Sequence, residues 1–491
     1  MSLLTLKFFI FLCVLFLAYY LVPKKFQWGL LLVGSIFFYL NASPYYLIFL
    51  LASALSTYYL ALLIKKDKKK IYIILGIIIN IGILGVLKYT GFIFEIIEAI
   101  LKIQLPEVNF MLPLGISFYT FMVVSYIADV YRGDVEPEEN FFKYLLFVSW
   151  FPQIIEGPIN RYTKMKNELY GEHEFDFNRC KHAGYRILQG IFKKVVIAGR
   201  FGVYVDTVFE NASGYGGLTL ICSVIFYAIQ IYADFSGCMD MVLGISEFFS
   251  VTMTENFDKP FFSKNVSEFW RRWHISLGTW FRDYVYTPVM QSKFCKNMKS
   301  RLHKTPLKKW SMNFVAATAL ACVWFLTGVW HGASGHYVFY GVYYGIILIV
   351  SMFLTKTYKK IHKTLPIKWD SKGYHVFEII RTLFIVNIGF LIFRANSMVE
   401  IGFVLKKIVT DFSINVATIS EALLPFTGDN TAISYGAVAV VSAIGLYVTE
   451  IFEYNGLDTF KKHKYINAAI LIVVTLLFGV FGESGFLYMA Y

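Results

Sequence analysis

The sequence predicts an all-α, polytopic membrane protein, and its composition and the lengths of its apolar blocks carry that prediction. Of the 491 residues, 57% are hydrophobic, 19% aromatic and only 16% charged, whereas soluble domains are about 45–50% apolar and about 25% charged. The apolar residues form blocks near the ~20 residues that a helix needs to cross ~30 Å of hydrocarbon. The short alternating runs of a membrane β-barrel are not seen. The bilayer is therefore the solvent for most of the chain.

Fourteen apolar blocks predict helices that cross or enter the membrane. They lie at about 3–22, 28–41, 44–64, 71–88, 90–103, 113–129, 141–155, 185–205, 217–235, 313–330, 336–356, 376–393, 432–452 and 466–482. The first block lacks a basic n-region and a small-residue cleavage site, so we interpret it as a retained first span and not a signal peptide. Several blocks are too short to cross alone and are expected to be re-entrant.

The basic residues lie mainly in the loops between apolar blocks, so the net charge of +13 indicates membrane topology and an anionic membrane surface instead of nucleic-acid binding. Basic loops stay on the cytoplasmic side of a membrane. Residues 24–25, 65–70 and 356–372 are the strongly basic loops, and placing them inside puts the N-terminus outside. The blocks at 313–330 and 336–356 then form a hairpin, whose tip we expect to be buried in protein.

Nothing in the sequence divides the chain, because neither a fixed-period repeat nor a Pro/Gly/Ser-rich linker is present. We therefore predict a single membrane domain over residues 1–491. The six cysteines are scattered without a CxxC pair, which signals neither a zinc site nor a disulfide framework. They are expected to be reduced packing residues: Cys13, Cys180, Cys222, Cys238, Cys295 and Cys322.

Residues 257–301 break the pattern of apolar blocks. The stretch reads FFSKNVSEFWRRWHISLGTWFRDYVY at its centre and is aromatic and basic together. It is too charged to span the membrane and too aromatic for a solvated loop. An interfacial or inward-dipping helix is the expected structure.

Two histidines in apolar surroundings are candidates for chemistry, because an ionisable group in hydrocarbon costs several kcal/mol unless it faces a cavity or a partner. His331 lies in GVWHGASGHYVFYG, where the polar neighbours are Ser334 and His336. It could act as a general base or hydrogen-bond a helix end. His274, in WRRWHISLGTWFRD, could likewise be functional or pack among the aromatic rings. The residue pattern leaves both alternatives open.

Three arginines of the same segment could bind a phosphate-bearing donor through charge-assisted hydrogen bonds. Arg271, Arg272 and Arg282 could instead anchor the segment and pair with Glu268 and Asp283. Three polar residues upstream are expected either to line an interior cavity or to pair with these arginines: Asp234, Asp240 and Asn256.

Several strings together resemble the membrane-bound O-acyltransferases. They are FPQIIEGPINRY (151–162), DFSGCMDMVLGI (234–245), ENFDKPFFSKNVSEFWRRWHISLGTWFRDYVYTP (255–288) and GVWHGASGHYVFYGVYYG (328–345), with agreement also at 112–133, 192–200 and 391–396. The resemblance runs from about residue 110 to 396 and includes the C-terminal residues. Within the family, the chain is most similar to the bacterial polysaccharide branch of alginate and peptidoglycan O-acetyltransferases.

The resemblance implies a multi-helix core with a central funnel or tunnel. That core would occupy residues 111–396, between N-terminal spans at 1–110 and C-terminal spans with a tail at 397–491. The family's near-invariant histidine corresponds to His331 and its second functional histidine to His274. The family also implies acetyl-CoA as the donor, with no metal, and an acceptor on the outer side of a bacterial cytoplasmic membrane. The three arginines or loop lysines are the candidates to hold the donor's phosphates.

The final string FLYMAY (486–491) resembles a tail in this branch whose tyrosine accepts the acyl group. The corresponding residue is Tyr488, and Tyr491 departs from the pattern by replacing a phenylalanine. The resemblance implies relay to an extracytoplasmic SGNH-type transferase and then to a cell-surface polysaccharide. An aromatic anchor at the membrane interface is the alternative interpretation.

Three other functions remain open at this point. D-alanyl transfer to teichoic acid would use the same core. A transporter or flippase is compatible with the number of spans, although the repeat symmetry and paired broken helices of transporters are not visible. A scaffold for polysaccharide export would need no catalytic histidine. The sequence does not identify the final sugar.

Overall fold

The computed structural model describes residues 3–106, 110–426, 433–455 and 464–481, and in these ranges it is all-α. Extended pairing there is confined to an isolated antiparallel bridge between Phe257 and Trp273. The helices are α1 (Leu6–Leu21), α2 (Gln27–Ala42), α3 (Leu47–Asp67), α4 (Lys70–Leu101), α5 (Ile116–Arg132), α6 (Phe141–Ser149), α7 (Phe151–Glu156), α8 (Tyr162–Tyr170), α9 (Phe177–Phe192), α10 (Gly199–Glu210), α11 (Gly217–Phe248), α12 (Val266–Arg272), α13 (Ile275–Phe281), α14 (Thr287–Gln291), α15 (Lys293–Leu302), α16 (Ser311–His331), α17 (Gly335–Thr364), α18 (Lys372–Arg394), α19 (Met398–Thr410), α20 (Val416–Leu423), α21 (Ile433–Tyr454) and α22 (Lys464–Phe478).

Seven helices in the described part of the chain are long and apolar enough to cross a membrane. They are Pro44–Asp67, Lys70–Leu101, Gly217–Phe248, Pro306–His331, Gly335–Thr364, Lys372–Arg394 and Tyr435–Tyr454. Only 22% of the apolar window of α4 is buried in protein, so the rest of that surface is suited to contact with lipid tails. The prediction of a polytopic all-α membrane protein is confirmed.

The two spans predicted at 71–88 and 90–103 are one helix of 32 residues, α4. The predicted break fell at residue 89, between Lys88 and Thr90. Both residues nevertheless keep a backbone N–H, and a break of this kind usually needs a proline. The Thr90 hydroxyl donates to the Val86 carbonyl at 2.6 Å, which is a bond inside the helix. The prediction of two spans here was wrong.

Because α4 is one span and not two, the loops that follow it lie on the opposite side of the membrane from the one predicted. With α4 as one span, α5 leads back to the side of the basic residues 65–70. The Lys65 ammonium lies 2.8 Å from the Glu139 carboxylate, in the loop that follows α5, and 3.9 Å from that of Glu136. Two separate spans would have placed that loop across the bilayer. The ion pairs therefore agree with the single long helix.

Two other predicted spans depart from one regular α-helix in the structure. The block at 141–155 is interrupted at Trp150, and α7 begins with Pro152 in its first turn, where a missing N–H costs nothing. The block at 185–205 contains a π-helical stretch at Lys193–Ala198, a feature that is frequent at functional sites. By contrast, α11 continues to Phe248 instead of ending near 235.

The described chain divides into two compact units. The first lies within Met1–Ile191 and Cys238–Glu255, and the second within Phe192–Gly237 and Asn256–Leu487. That the whole chain forms a single membrane domain stays a prediction.

Each unit has its own interior. In the first unit, the partly buried Arg186 forms ion pairs with Asp240 at 3.2 Å and with the exposed Glu255 at 2.6 Å. In the second unit, a large aromatic and aliphatic cluster contains Tyr232, Trp273 and much of α18. Both predicted catalytic histidines belong to the second unit.

Candidate active site around two buried histidines

The hairpin of α16 and α17 positions His331, which is the last residue of α16. The two helices approach closely at glycines. A Cβ atom on Gly328 would lie 2.4 Å from the Tyr337 carbonyl oxygen, and one on Gly341 would lie 2.2 Å from the Trp324 carbonyl oxygen. Small residues allow this approach in membrane helix pairs. The hairpin is therefore tightly packed up to the turn that follows His331.

The opposite end of the hairpin is basic and aromatic. The Lys309 and Lys356 ammonium groups lie 6.0 Å and 5.4 Å from the ring centroid of Trp310. Tryptophan at a membrane boundary and lysine on the cytoplasmic side are both typical of membrane proteins. Since α16 has 21 residues and rises about 1.5 Å per residue, His331 lies about 30 Å from this end.

His331 is only 5% exposed, as expected for a hairpin tip buried in protein. Its ring lies 4.9 Å from that of Trp330, 5.6 Å from that of Tyr340 and 5.0 Å from that of Phe393, the last two being edge-on. Phe393 comes from α18. The imidazole is therefore enclosed by aromatic rings from three helices.

The two polar neighbours expected beside His331 bond to each other. The Ser334 hydroxyl and Nδ1 of His336 lie 2.9 Å apart, in the turn and first residues of α17. The position of His336 is thus explained by a local hydrogen bond. That makes His336 a natural comparison for His331, because it is also a buried histidine near the same turn.

His274 lies between the short helices α12 and α13 and is 3% exposed. Its backbone is in the left-handed region, with φ 47° and ψ 53°. This conformation costs a non-glycine residue about 1–2 kcal/mol and clusters at functional sites. The ring lies edge-on to that of Phe235 at 4.9 Å. The fold therefore holds this histidine in an unfavourable backbone conformation.

Trp330 connects the two histidines. Its ring centroid lies 6.0 Å from that of His274 and 4.9 Å from that of His331. Both sequence-predicted histidines therefore lie next to the same tryptophan ring. The sequence interpretation missed the role of Trp330, and the available signal was its position directly before His331. The ring of Phe393, also missed, lies within the resembling string at 391–396.

Burial lowers the pKa of His274 from its ordinary value to about 3. The cause is desolvation, which disfavours the charged imidazolium. His274 is therefore neutral at physiological pH. A neutral imidazole presents one donor and one acceptor nitrogen.

The buried neutral state predicts that stability falls in acid. As pH drops below about 6.5, the unfolded chain protonates this histidine while the folded chain does not, so unfolding becomes easier. Between pH 7 and pH 5 the free energy of unfolding in detergent should fall by about 2 kcal/mol more in the wild type than in His274→Gln. His303→Gln, at an exposed histidine, is the comparison for replacing a histidine outside the site. Equal slopes in wild type and His274→Gln would contradict a neutral buried imidazole.

The three candidate donor-binding arginines have different partners. Arg272 bonds Glu268 at 3.0 Å and the Asp258 carbonyl at 3.1 Å, so its charge is compensated within the protein. Arg282 is exposed and pairs with its neighbour Asp283 at 2.8 Å. Arg271 is exposed, and its guanidinium donates to the Ser267 hydroxyl at 3.0 Å. Of these three, Arg271 is the one without a carboxylate partner in the described chain.

The polar residues of α11 pair with other cations. Asp234 forms a buried ion pair with Lys194 of the π-helical stretch, and Asp240 pairs with Arg186 at 3.2 Å. Neither is a partner of the three arginines, so that alternative was wrong for both. Asn256, the third polar candidate, accepts backbone hydrogen bonds beside His274.

Two further predictions concern the acyl-accepting tyrosine and metal-free chemistry. Tyr488 and the string 486–491 lie outside the described residues. In the ranges that are described, no group of three or more His, Cys, Asp or Glu side chains is arranged to hold a metal ion. The prediction of metal-free chemistry stays a prediction.

The fold and the site define a class: a multi-pass α-helical membrane protein with two buried histidines that both contact one tryptophan ring. Comparison with known proteins identifies the family. The model of the membrane-bound O-acyltransferase family matches residues 114–303, which include His274. The chain belongs to this family and is an O-acyltransferase of a bacterial membrane.

Individual relatives agree with the family and its polysaccharide branch. The chain is 28% identical to a peptidoglycan O-acetyltransferase of Helicobacter pylori, over 97% of this chain and 94% of the relative. It is 30% identical to a protein named probable alginate O-acetylase in Pseudomonas aeruginosa, over 79% of this chain and 71% of the relative. A teichoic acid D-alanyltransferase of Bacillus subtilis is 30% identical, but over only 59% of this chain and 71% of the relative.

Proposed function

We propose that this protein moves an acetyl group from cytoplasmic acetyl-CoA across the membrane for O-acetylation of a cell-surface polysaccharide such as peptidoglycan or an exopolysaccharide. The observation that carries the proposal is the shared aromatic site of His331 and His274 around Trp330. The similarity to a peptidoglycan O-acetyltransferase over 97% of the chain supports acetyl over D-alanyl transfer.

In this proposal His331 acts as the general base. It takes the proton of the attacking hydroxyl, whose oxygen forms a bond to the thioester carbon. The carbon–sulfur bond then breaks, and His331 returns the proton to the departing thiolate. A carbon–oxygen bond thus replaces the carbon–sulfur bond, and no further reactant is needed. The aromatic enclosure excludes water, which would otherwise hydrolyse the thioester.

His274 is proposed to orient the reacting group. Because this imidazole is neutral, its N–H can donate a hydrogen bond to the developing oxyanion. The proposal is supported by the position of its ring beside that of Trp330, the residue directly before His331. The strained backbone supports a role that needs one particular ring direction.

The charge distribution supports opposite entry routes for donor and acceptor. The base of the α16–α17 hairpin carries Lys309 and Lys356, whereas His331 lies at the tip. We propose that the phosphates of acetyl-CoA bind on the basic side. The first acceptor is Tyr488, and an SGNH-type transferase outside the membrane passes the acetyl group to the polymer.

The proposal is tested with purified protein and acetyl-CoA labelled in the acetyl group. Formation of a covalent acetyl-protein is the expected result, and it separates an acyltransferase from a transporter or an export scaffold. A parallel reaction with a D-alanyl thioester tests the alternative substrate. Labelling by the D-alanyl donor alone would replace acetyl transfer with D-alanyl transfer.

Arg271→Gln should raise KM for acetyl-CoA about tenfold or more with little change in kcat. A charge-assisted hydrogen bond is worth about 1.5–3 kcal/mol, and about 1.4 kcal/mol is a factor of ten in affinity. Arg282→Gln removes the same charge from a nearby guanidinium that already has a carboxylate partner. That control should change KM less than about threefold. Equal effects of the two substitutions would contradict a specific phosphate contact at Arg271.

A further inference from the structure

Asn256 holds the chain on the C-terminal side of His274 by two hydrogen bonds. Its backbone carbonyl accepts the Ile275 N–H at 3.0 Å, and its side-chain Oδ1 accepts the Ser276 N–H at 3.0 Å. These N–H groups belong to the first turn of α13, where helix donors lack partners inside the helix. Asn256 therefore caps α13 from a different part of the chain.

The residues after Asn256 hold the other side of His274. Phe257 forms the antiparallel bridge with Trp273, and the Asp258 N–H donates to the Arg272 carbonyl at 3.0 Å. Residues 256–258 thus run antiparallel to residues 272–276. His274 lies at the bend of residues 272–276, with backbone hydrogen bonds on both sides of it.

These hydrogen bonds between residues 256–258 and residues 272–276 explain how His274 keeps its backbone conformation. A left-handed non-glycine residue persists only where the surroundings over-determine it, and here both flanking segments are hydrogen-bonded to residues 256–258. Asn256 is 0% exposed, so water does not compete for its Oδ1 in the folded protein. Loss of that oxygen would leave the Ser276 N–H buried without this acceptor. It would also weaken the attachment of the chain on the C-terminal side of His274.

We propose that Asn256 is a positioning residue for the acyl-transfer reaction, acting through the Ser276 N–H to hold the His274 imidazole against Trp330. This inference rests on the proposed function, in which His274 orients the reacting group. Asn256 itself contacts neither the donor nor the acceptor in this scheme. Its contribution is to the direction of the ring.

The test compares two asparagines with the same local chemistry. Asn256→Ala removes Oδ1 beside His274. Asn265→Ala is the matched control, because Asn265 Oδ1 accepts the Glu268 N–H at 2.9 Å and caps α12, a helix of the same length, on an exposed surface. Asn256→Asp keeps an acceptor oxygen in the same position, and burial there favours the neutral carboxyl over the charged form, as for other buried carboxyl groups.

Asn256→Ala should lower kcat for acetyl transfer by about 10- to 100-fold with KM for acetyl-CoA within about threefold, because misplacement of a catalytic group by about 1 Å can cost that much. Asn265→Ala should keep kcat within about threefold. Asn256→Asp should restore most of the rate. If Asn256→Ala does not remain folded in size-exclusion chromatography, Asn256→Ser, whose shorter side chain ends before the Oδ1 position, replaces it in the comparison.

A second measurement follows His274 directly and does not require activity. Diethyl pyrocarbonate modifies accessible imidazoles, and the peptide that carries His274 is quantified by mass spectrometry. Modification should be slow in the wild type, where His274 is 3% exposed, and at least fivefold faster in folded Asn256→Ala. Asn265→Ala and Asn256→Asp should resemble the wild type.

These outcomes separate the inference from the proposed function. Wild-type kcat and slow labelling in Asn256→Ala would overturn the inference, as would a fall in kcat with unchanged labelling, or equal losses in Asn265→Ala. If the wild type does not transfer acetyl from acetyl-CoA, the proposed function fails. The labelling experiment still decides in that case whether Asn256 holds His274.

Discussion

Replacing His331 by alanine is expected to abolish acetyl transfer while the protein remains folded in detergent. In the proposed reaction this imidazole takes the proton of the acceptor hydroxyl, and a positioned general base contributes about 10²–10⁴-fold in rate. The loss should appear in kcat, because the ring acts on the reacting atoms. It is measured as covalent acetylation of the purified protein and as acetylation of the polymer in cells.

The chain offers a matched control in His336, which is also buried but is held by Ser334. His336→Gln should retain at least a tenth of the wild-type rate. His331→Gln keeps much of the side-chain volume and a polar end, so its inactivity would separate lost proton transfer from a packing defect. Polymer acetylation near the wild-type level in His331→Ala would remove this residue from the mechanism.

The membrane character of the fold could be predicted because hydropathy is a local property. The ends of the helices were harder to predict than their membrane character. A polar residue inside an apolar run does not by itself end a helix. Lys88 and Thr90 leave α4 continuous. Asp234 and Asp240 leave α11 continuous and find cationic partners. These partners come from distant parts of the sequence, so the residues adjacent to each aspartate in the sequence do not reveal them.

The two histidines could be identified from sequence, because they lie in strings that resemble one family. Their common site could not, since it is made by contacts between distant residues. Phe235 and Trp330 reach His274 from two different helices. The hydrogen bond from Ser276 to Asn256 likewise links separate segments. In the sequence Asn256 was indistinguishable from a cavity-lining polar residue.

The spatial arrangement also sorts the three arginines that sequence treats alike. Arg272 and Arg282 are held by carboxylates, whereas Arg271 donates to a hydroxyl. A phosphate group competes poorly with a carboxylate that is already attached to the protein. The donor-binding proposal therefore concentrates on Arg271, a distinction that depends on side-chain geometry and not on residue type.

The removal of one hydroxyl, in Tyr488→Phe, is expected to stop polymer acetylation while acetyl-CoA binding and expression remain normal. The proposal rests on the string FLYMAY. A phenol has a pKa of about 10, so His331 can deprotonate it more readily than a sugar hydroxyl. For the same reason, its acetyl ester is the better donor for the next transfer. The order histidine, tyrosine, external transferase is therefore chemically favourable.

Tyr491→Phe provides the matched control, because it removes a phenolic hydroxyl from the same string. It should leave polymer acetylation within about twofold of wild type, whereas Tyr488→Phe should reduce it by about 100-fold or more. Mass spectrometry of the wild-type peptide containing Tyr488 should show an acetyl adduct that is missing in His331→Ala, since the tyrosine accepts the group only after His331 removes its proton. Normal polymer acetylation in Tyr488→Phe would exclude the relay, and an adduct that persists in His331→Ala would show that the tyrosine is acetylated without this histidine.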